Sequence, residues 1–168
     1  MLFVGFKKAF ETIKRVAIWM ALSRRVPSKI ISLYLNSELA ELLNGKICDS
    51  FITNAGVRQG CPLLPLLLAI VQDDIMSQLT LHKRGIVWNY SIHLEDLDFA
   101  DDICLLSHKR TDMQAKVDCL VMLASSVGYE VNITKTKAMR VNHNNANHII
   151  VDGCPLEFVE SFSAISAA

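Results

Sequence analysis

The sequence predicts an α+β fold, because the chain contains both hairpin-like and helix-like segments. Residues 94–107 (LEDLDFADDICLLS) join an alternating run to a continuous apolar run through an acidic turn, a pattern typical of a β-hairpin. Apolar residues at helical spacing after Thr111 predict an amphipathic helix. We expect a small antiparallel sheet that carries the hairpin, backed by helices near residues 7–23, 65–81 and 111–127.

The composition indicates a single domain over residues 1–168 with ample material for a core, since 51% of the residues are hydrophobic. Seventeen basic residues balance seventeen acidic ones, whereas nucleic-acid-binding domains usually carry a basic excess. A nucleic-acid function would therefore need local basic patches or a basic partner region. The five cysteines are scattered, which favours a reducing compartment. No apolar run is long enough to span a bilayer, so we expect an intracellular, soluble protein without a membrane partner.

The first third of the chain predicts a short strand, two helices and a hairpin. Residues 2–4 form the strand, and Gly5 follows it. The predicted core face of the first helix consists of Phe10, Ile13, Ala17 and Met20. A second helix starts near Ser28, after Pro27. Residues 38–43 are compatible with helix or strand, although Asn44-Gly45 is a hairpin signal.

A turn-rich loop, residues 54–65 (NAGVRQGCPLLP), leads into an apolar helix. Backbone N–H groups at such a helix start, with the side chains of Arg58 and Gln59, suit a phosphate or a nucleotide. A plain helix entrance with two prolines explains the same residues equally well.

The clearest helix runs from Thr111 to Gly128, with Thr111 and Gln114 as a predicted capping box and Gly128 as the C-cap. Its core face consists of Met113, Val117, Leu120, Val121 and Ala124. Short strands near residues 130–133, 138–141 and 148–151 follow.

Two adjacent carboxylates, Asp101 and Asp102, lie at the predicted tip of the hairpin. Ionised carboxylates repel each other, and a divalent cation between them removes that cost. Mg²⁺ is commonly held by one or two carboxylates together with water and substrate phosphates. The pair is therefore a candidate metal site, and a polar turn is the simpler alternative.

Four segments in this order resemble the palm motifs of reverse transcriptases, most closely those of non-LTR (LINE-type) retrotransposons. They are FVGFKKAFETI (3–13), GVRQGCPLLPLLLAIV (56–71), FADD (99–102) and GYEVNITKTKAM (128–139). The resemblance covers nearly the whole chain, and residues 159–168 occupy the place of a primer-contacting turn. It implies a polymerase palm with a small antiparallel sheet backed by helices.

The resemblance also implies a role for each matching residue. Asp101 would be the principal metal ligand and Asp102 its companion, in a family that uses two Mg²⁺ ions, and Lys135 would be a proton donor near the pyrophosphate. The residues implied to contact nucleotide or template are Phe10, Arg58, Gln59, Gly60, Phe99 and Ala100. The implied partners are an RNA template, a DNA primer and deoxynucleoside triphosphates.

Several positions depart from the family pattern. Gly5 stands where the first catalytic aspartate is expected, Leu64 replaces a serine, and residues 164–166 replace the aromatic-Leu-Gly turn. We also expect the fingers and the thumb of a parent polyprotein to lie outside this partial domain. Three hypotheses remain: an active polymerase palm, a decayed copy without catalysis, and a palm domesticated for binding nucleic acid or protein. The missing carboxylate favours the second, because two-metal phosphoryl transfer needs ligands from both strands.

Overall fold

A computed structural model describes residues 1–25, 27–29, 38, 40–51, 56, 63–90, 92–99, 102–141 and 147–162. Helices and strands both contribute to it, so the α+β class predicted from the sequence is confirmed. The helices are α1 (Ala9–Thr12), α2 (Arg15–Ser23), α3 (Leu64–Leu79) and α4 (Arg110–Val127).

Five strands form the main antiparallel-rich sheet. They are β1 (Leu2–Val4), β7 (Asp96–Phe99), β8 (Asp102–Leu105), β10 (Lys137–Met139) and β13 (Glu157–Val159), in the order β13-β10-β1-β8-β7. Among the described strand pairs, only β10 and β13 run parallel. The central strand, β1, pairs with β8 of the predicted acidic hairpin on one side and with β10 on the other.

Four two-stranded ladders surround this sheet. They are formed by β2 (Phe6–Lys7) with β9 (Glu130–Val131), β3 (Leu42–Leu43) with β4 (Lys46–Ile47), β5 (Ile86–Asn89) with β6 (Ile92–Leu94), and β11 (Ile150–Val151) with β12 (Cys154–Pro155). The predicted Asn44-Gly45 turn is confirmed, with positive φ at both residues as a two-residue hairpin turn requires. The β3–β4 and β5–β6 hairpins expose many of their side chains.

One face of the sheet and the three longer helices enclose the core. The sheet contributes Leu2, Val4, Ile103, Leu105 and Ala138, and all five are at most 4% exposed. Apolar side chains of α2, α3 and α4 pack against them, including Leu22, Val71 and Leu120. Burial of this kind stabilises the fold by about 25 cal/mol per Å² of apolar surface.

The helix predicted over residues 7–23 is wrong as a single element, because the chain breaks between α1 and α2. Ile13 and Lys14 are extended, and the Lys14 N–H donates to the Val127 carbonyl at the end of α4, at 2.8 Å. The predicted core face also differs, since Met20 is 62% exposed. The break rotates α2, so that its buried side chains are Ile18, Ala21 and Leu22.

The other two helices agree with the prediction in extent. The core positions Met113, Val117, Leu120 and Ala124 of α4 are buried, and Gly128 ends the helix with φ 93°. The capping box was wrong: no side chain caps α4, and Gln114 instead exchanges hydrogen bonds with the backbone of Ile150 in β11. The helix predicted after Ser28 lies mostly outside the described residues.

Within the described ranges, no helix combines the length and the apolarity needed to cross a membrane.

Candidate functional site

The predicted acidic hairpin is formed by β7 and β8, whose register pairs Phe99 with Asp102. Asp102 is therefore the first residue of β8, and it is partly buried. Ala100 and Asp101, which join the two strands, lie outside the described residues, as do Arg58, Gln59 and Gly60. Phe10 lies in α1 and Phe99 ends β7, but the placement of their side chains is not described.

The register between β1 and β8 brings the first and third resembling segments together. Leu2 pairs with Leu105, Phe3 with Cys104, and Val4 with Ile103. One further step along this antiparallel register sets Gly5 opposite Asp102. Opposite residues share a face of a sheet, so position 5 and Asp102 lie on the side away from the helices, on which Phe3 also lies.

The space beside Gly5 is occupied by the turn that contains Lys135. A Cβ built on Gly5 would lie 2.8 Å from the Lys135 Cβ, closer than side chains normally approach. Two hydrogen bonds fix this arrangement: Asn132 N–H donates to the Gly5 carbonyl at 2.7 Å, and Gly5 N–H donates to Thr136 Oγ1 at 3.3 Å. The structure therefore brings Gly5, Asp102 and Lys135 to the same end of the sheet.

The described residues at this end of the sheet offer few side-chain ligands for a metal ion. Among the described residues, Asp102 is the carboxylate at this end of β8, and Gly5 offers no side-chain ligand. The described part of the chain holds no group of three or more His, Cys, Asp or Glu side chains suited to a metal ion. Clamping two ions about 4 Å apart requires carboxylates from both strands.

A buried lysine closes the base of the acidic hairpin. Lys116 of α4 is 1% exposed, and its Nζ donates at 2.8 Å to the carbonyls of Glu95, just before β7, and Leu106, just after β8. The same Nζ lies 2.5 Å from Glu95 Oε2. The Leu106 N–H also donates to the Glu95 carbonyl, at 2.9 Å. Lys116 thereby fixes the two chain segments from which the hairpin extends.

Electrostatics around Glu95 favour its ionised form. Burial alone would raise the pKa of Glu95, but hydrogen bonds from Lys116 and from the backbone N–H groups of Gly85 and Arg84 outweigh it and lower that pKa. The next residue, Asp96, has a raised pKa because it is partly buried and lies near Asp98. The two carboxylates at the base of the hairpin therefore differ. Lys116 stabilises the ionised form of Glu95, whereas the surroundings of Asp96 disfavour its ionised form.

Sequence reasoning missed Lys116, although a signal for it was present. Lys116 lies at helical spacing from the core positions Met113 and Leu120, so it falls on the apolar face of α4. A lysine at such a position needs a buried partner. Glu95 was not among the predicted site residues either, so the ion pair between Lys116 and Glu95 was not predicted.

The arrangement of the chain can be compared with known proteins. The family model "Reverse transcriptase (RNA-dependent DNA polymerase)" matches residues 1–152. The chain is 28% identical over 115 residues to the "Retrovirus-related Pol polyprotein from type-1 retrotransposable element R2" of Popillia japonica, a match that covers 66% of this chain and 19% of that polyprotein.

Two further relatives are similar. The corresponding type-1 R2 polyprotein of Nasonia vitripennis is 34% identical over 117 residues, which is 66% of this chain and 11% of the relative. The "Retrovirus-related Pol polyprotein from type-2 retrotransposable element R2DM" of Drosophila melanogaster is 28% identical over 133 residues, 76% of this chain and 12% of the relative. The matches thus span less than a fifth of these polyproteins, and they agree with the motifs read from the sequence. The chain belongs to the reverse transcriptase family, of the non-LTR retrotransposon type.

Proposed function

We propose that the chain is the palm portion of a non-LTR reverse transcriptase that has lost nucleotidyl transfer. The parent reaction would extend a DNA primer on an RNA template with deoxynucleoside triphosphates. The observation that carries the proposal is the register of β1 with β8, which places Gly5 opposite Asp102. A glycine at this position removes the carboxylate that would complete the ligand set from the second strand.

The remaining residues would retain part of the parent site. Asp101 and Asp102 would hold at most one weakly bound Mg²⁺, which would polarise a nucleotide phosphate. Phe99 and Ala100 would support this turn. Lys135 would lie near the departing pyrophosphate, because its backbone is fixed beside Gly5 by the Asn132 turn.

The loop ahead of α3 would complete the nucleotide and template contacts. Gly56, at the start of the second resembling segment, accepts a hydrogen bond from Arg15 Nε at 3.2 Å and donates its N–H to the Ile13 carbonyl at 2.8 Å. These bonds attach the loop to the break between α1 and α2. Arg58, Gln59 and Gly60 would follow from this anchored point. Phe10 of α1 would place an aromatic ring against the ribose 2′-OH.

The test is primer extension on an RNA template with Mg²⁺ or Mn²⁺, comparing the unaltered chain with Gly5→Asp. If one metal site supplies about 4 kcal/mol of transition-state stabilisation, its loss lowers the rate roughly a thousandfold. We expect no extension by the unaltered chain and a gain on Gly5→Asp.

Gly5→Ala is the matched control, because it introduces the same close contact with Lys135 Cβ without adding a carboxylate. Extension restored by Asp and not by Ala supports the proposed loss. Extension by the unaltered chain would overturn it, because another group would then supply the missing ligand.

A second candidate is a nucleic-acid-binding module without chemistry. One observation favours it: a cleft lined by cationic side chains lies at the other end of the same sheet. Binding of RNA by a chain that never extends a primer, even as Gly5→Asp, would support this candidate.

A further inference from the structure

A cleft of about 650 Å³ lies between the β5–β6 hairpin, the start of α4 and the end of β10. Its walls include Ile86 of β5, His108 and Lys109 before α4, and Arg140 after β10. Met1 and Met139 also line it, so it lies at the end of β1 and β10 away from Gly5 and Lys135. The cleft is therefore separate from the candidate active site.

The cleft is cationic. Lys109, Arg110 and Arg140 line it together with His108, and no carboxylate among the described residues does so. The N-terminus of α4, an 18-residue helix, opens at the same place and adds the positive end of its dipole. Asp112 in the first turn of α4 is the nearest acidic residue in sequence, and it is not part of the lining.

The tripeptide His-Lys-Arg occurs twice in the sequence, and each copy leads into an element that lines the cleft. Residues 82–84 lead into β5, and residues 108–110 lead into α4. The N–H of Val87 in β5 donates to His108 Nε2 at 3.1 Å, so the strand that follows residues 82–84 contacts the start of residues 108–110. Arg84 is three residues from Val87, which is at most about 11 Å of chain. A chain of zero net charge thereby acquires a local basic surface.

The arginines that line the cleft and the lysines of the two tripeptides differ in what they contact. Arg110 donates to the His148 carbonyl at 3.2 and 3.0 Å, and Arg140 donates to the Asn147 carbonyl and lies 3.5 Å from the centre of the Phe158 ring. These arginines build the wall of the cleft. Within the described residues, the side chains of Lys83 and Lys109 make no hydrogen bond or ion pair and remain available for a ligand.

The hairpin that borders the cleft also carries exposed aromatic side chains. Trp88 is 73% exposed and Tyr90 is fully exposed, both in the β5–β6 hairpin whose Ile86 lines the cleft. Exposed rings next to cationic side chains are the combination with which proteins bind single-stranded nucleic acids: bases stack on the rings, and cations contact the phosphates.

We propose that this surface, defined by residues 82–90 and 108–110, binds a single-stranded segment of nucleic acid. This inference takes only the class of ligand, a nucleic acid, from the proposed function. The basic charge selects a polyanion, and the exposed rings favour unpaired bases over a duplex. The surface would hold a strand at a distance from the Asp102 hairpin, independently of whether chemistry takes place there.

The experiment is an anisotropy titration of a labelled oligouridylate about 20 nucleotides long with the full chain at several salt concentrations, since one site of this kind covers roughly 4–16 nucleotides. For single strands, each phosphate contact adds about 0.7 to the steepness with which log K falls as log salt rises. For Lys83→Ala/Lys109→Ala we therefore expect the slope to fall by about 1.4 and the affinity to drop about 25-fold at 0.1 M salt. For Trp88→Ala we expect a loss of roughly 5- to 150-fold.

Matched controls come from the β3–β4 hairpin, where Lys46 and Ile47 are likewise exposed but are not among the described residues that line the cleft. Lys46→Ala and Ile47→Ala should bind as the unaltered chain does. Equal affinities for all variants, or tighter binding to a duplex of the same length, would overturn the inference. Far-ultraviolet circular dichroism of each variant checks that a loss of binding is not a loss of folding.

Primer extension with the same variants separates this inference from the proposed function. Salt-sensitive binding that depends on Lys83, Lys109 and Trp88 supports the surface, whether or not Gly5→Asp extends a primer. Extension by Gly5→Asp together with unchanged binding by the lysine and tryptophan variants supports the palm and refutes the surface.

Discussion

Replacing Lys116 by methionine should destabilise the chain more than any substitution at an exposed position. Methionine keeps the length and the apolar stem of the side chain but removes the ammonium group. Glu95 is then left as a buried carboxylate without its cation, and the carbonyls of Glu95 and Leu106 lose a donor. Among the described residues, Glu95 Oε1 already lacks a hydrogen-bond partner, and no second cation is bonded to this carboxylate.

The magnitude follows from the burial of both groups. The side chains of Lys116 and Glu95 are 2% and 10% exposed, so solvent compensates little for the loss. Breaking one partner of a buried ion pair costs about 3–5 kcal/mol, a large part of the 5–15 kcal/mol that typically separates folded from unfolded domains. With a urea m-value of roughly 2 kcal/mol per M, the midpoint of unfolding should fall by about 1.5–2.5 M.

Urea unfolding followed by circular dichroism measures this shift, with Lys116→Met/Glu95→Gln as the second variant. Glutamine is neutral and still accepts the backbone N–H groups of Arg84 and Gly85, so the double variant should recover part of the lost stability. Lys109→Met is the control for a lysine whose side chain makes no hydrogen bond or ion pair among the described residues, and it should leave the midpoint unchanged. A Lys116→Met midpoint within about 0.3 M of the unaltered chain, equivalent to less than 1 kcal/mol, would refute the reasoning.

Two further predictions concern neighbouring packing. Gly85→Ala should lower the urea midpoint strongly, because the added Cβ would clash with the Leu94 carbonyl oxygen; a midpoint within about 0.3 M of that of the unaltered chain would contradict the assigned contact. Burial raises the pKa of Tyr129 to about 12, so stability present below pH 10 should decline by up to roughly 3 kcal/mol as the pH rises from 10 towards 12. Unfolding measured across this range should lose that part of its pH dependence in Tyr129→Phe, and an unchanged dependence would show that the Tyr129 phenol is not responsible.

The sequence was a good guide where a local pattern and burial coincide. The hairpin around Phe99 and Asp102, the turn at Asn44-Gly45 and the extent of α4 follow from alternation, turn chemistry and helical spacing. The break at Ile13 was not predictable in this way, because its cause is a hydrogen bond from Lys14 to Val127, more than 100 residues away. Helical propensity is a weak preference that such tertiary contacts override.

The same distinction applies to the candidate site. The order of the motifs predicted that position 5 and Asp102 lie close together in the site. The pairing register of β1 with β8 explains how the fold brings them together. The Lys116–Glu95 pair depends on which helix face meets which loop, and that information is distributed over the whole fold. Leu97 illustrates the limit of alternation: it is 51% exposed, because β7 lies at the edge of the sheet and turns this side chain away from the helices.

The close approach of Lys135 to Gly5 has an evolutionary consequence. If position 5 once carried an aspartate, as the proposed function has it, the Asn132–Lys135 turn now fills that volume, because the Lys135 Cβ lies 2.8 Å from where a Cβ at position 5 would be. A single codon change back to aspartate would then meet a neighbour already in its place. On the proposed function, a restored aspartate would regain synthesis only to the extent that this turn moves aside, so regaining the activity would be harder than losing it.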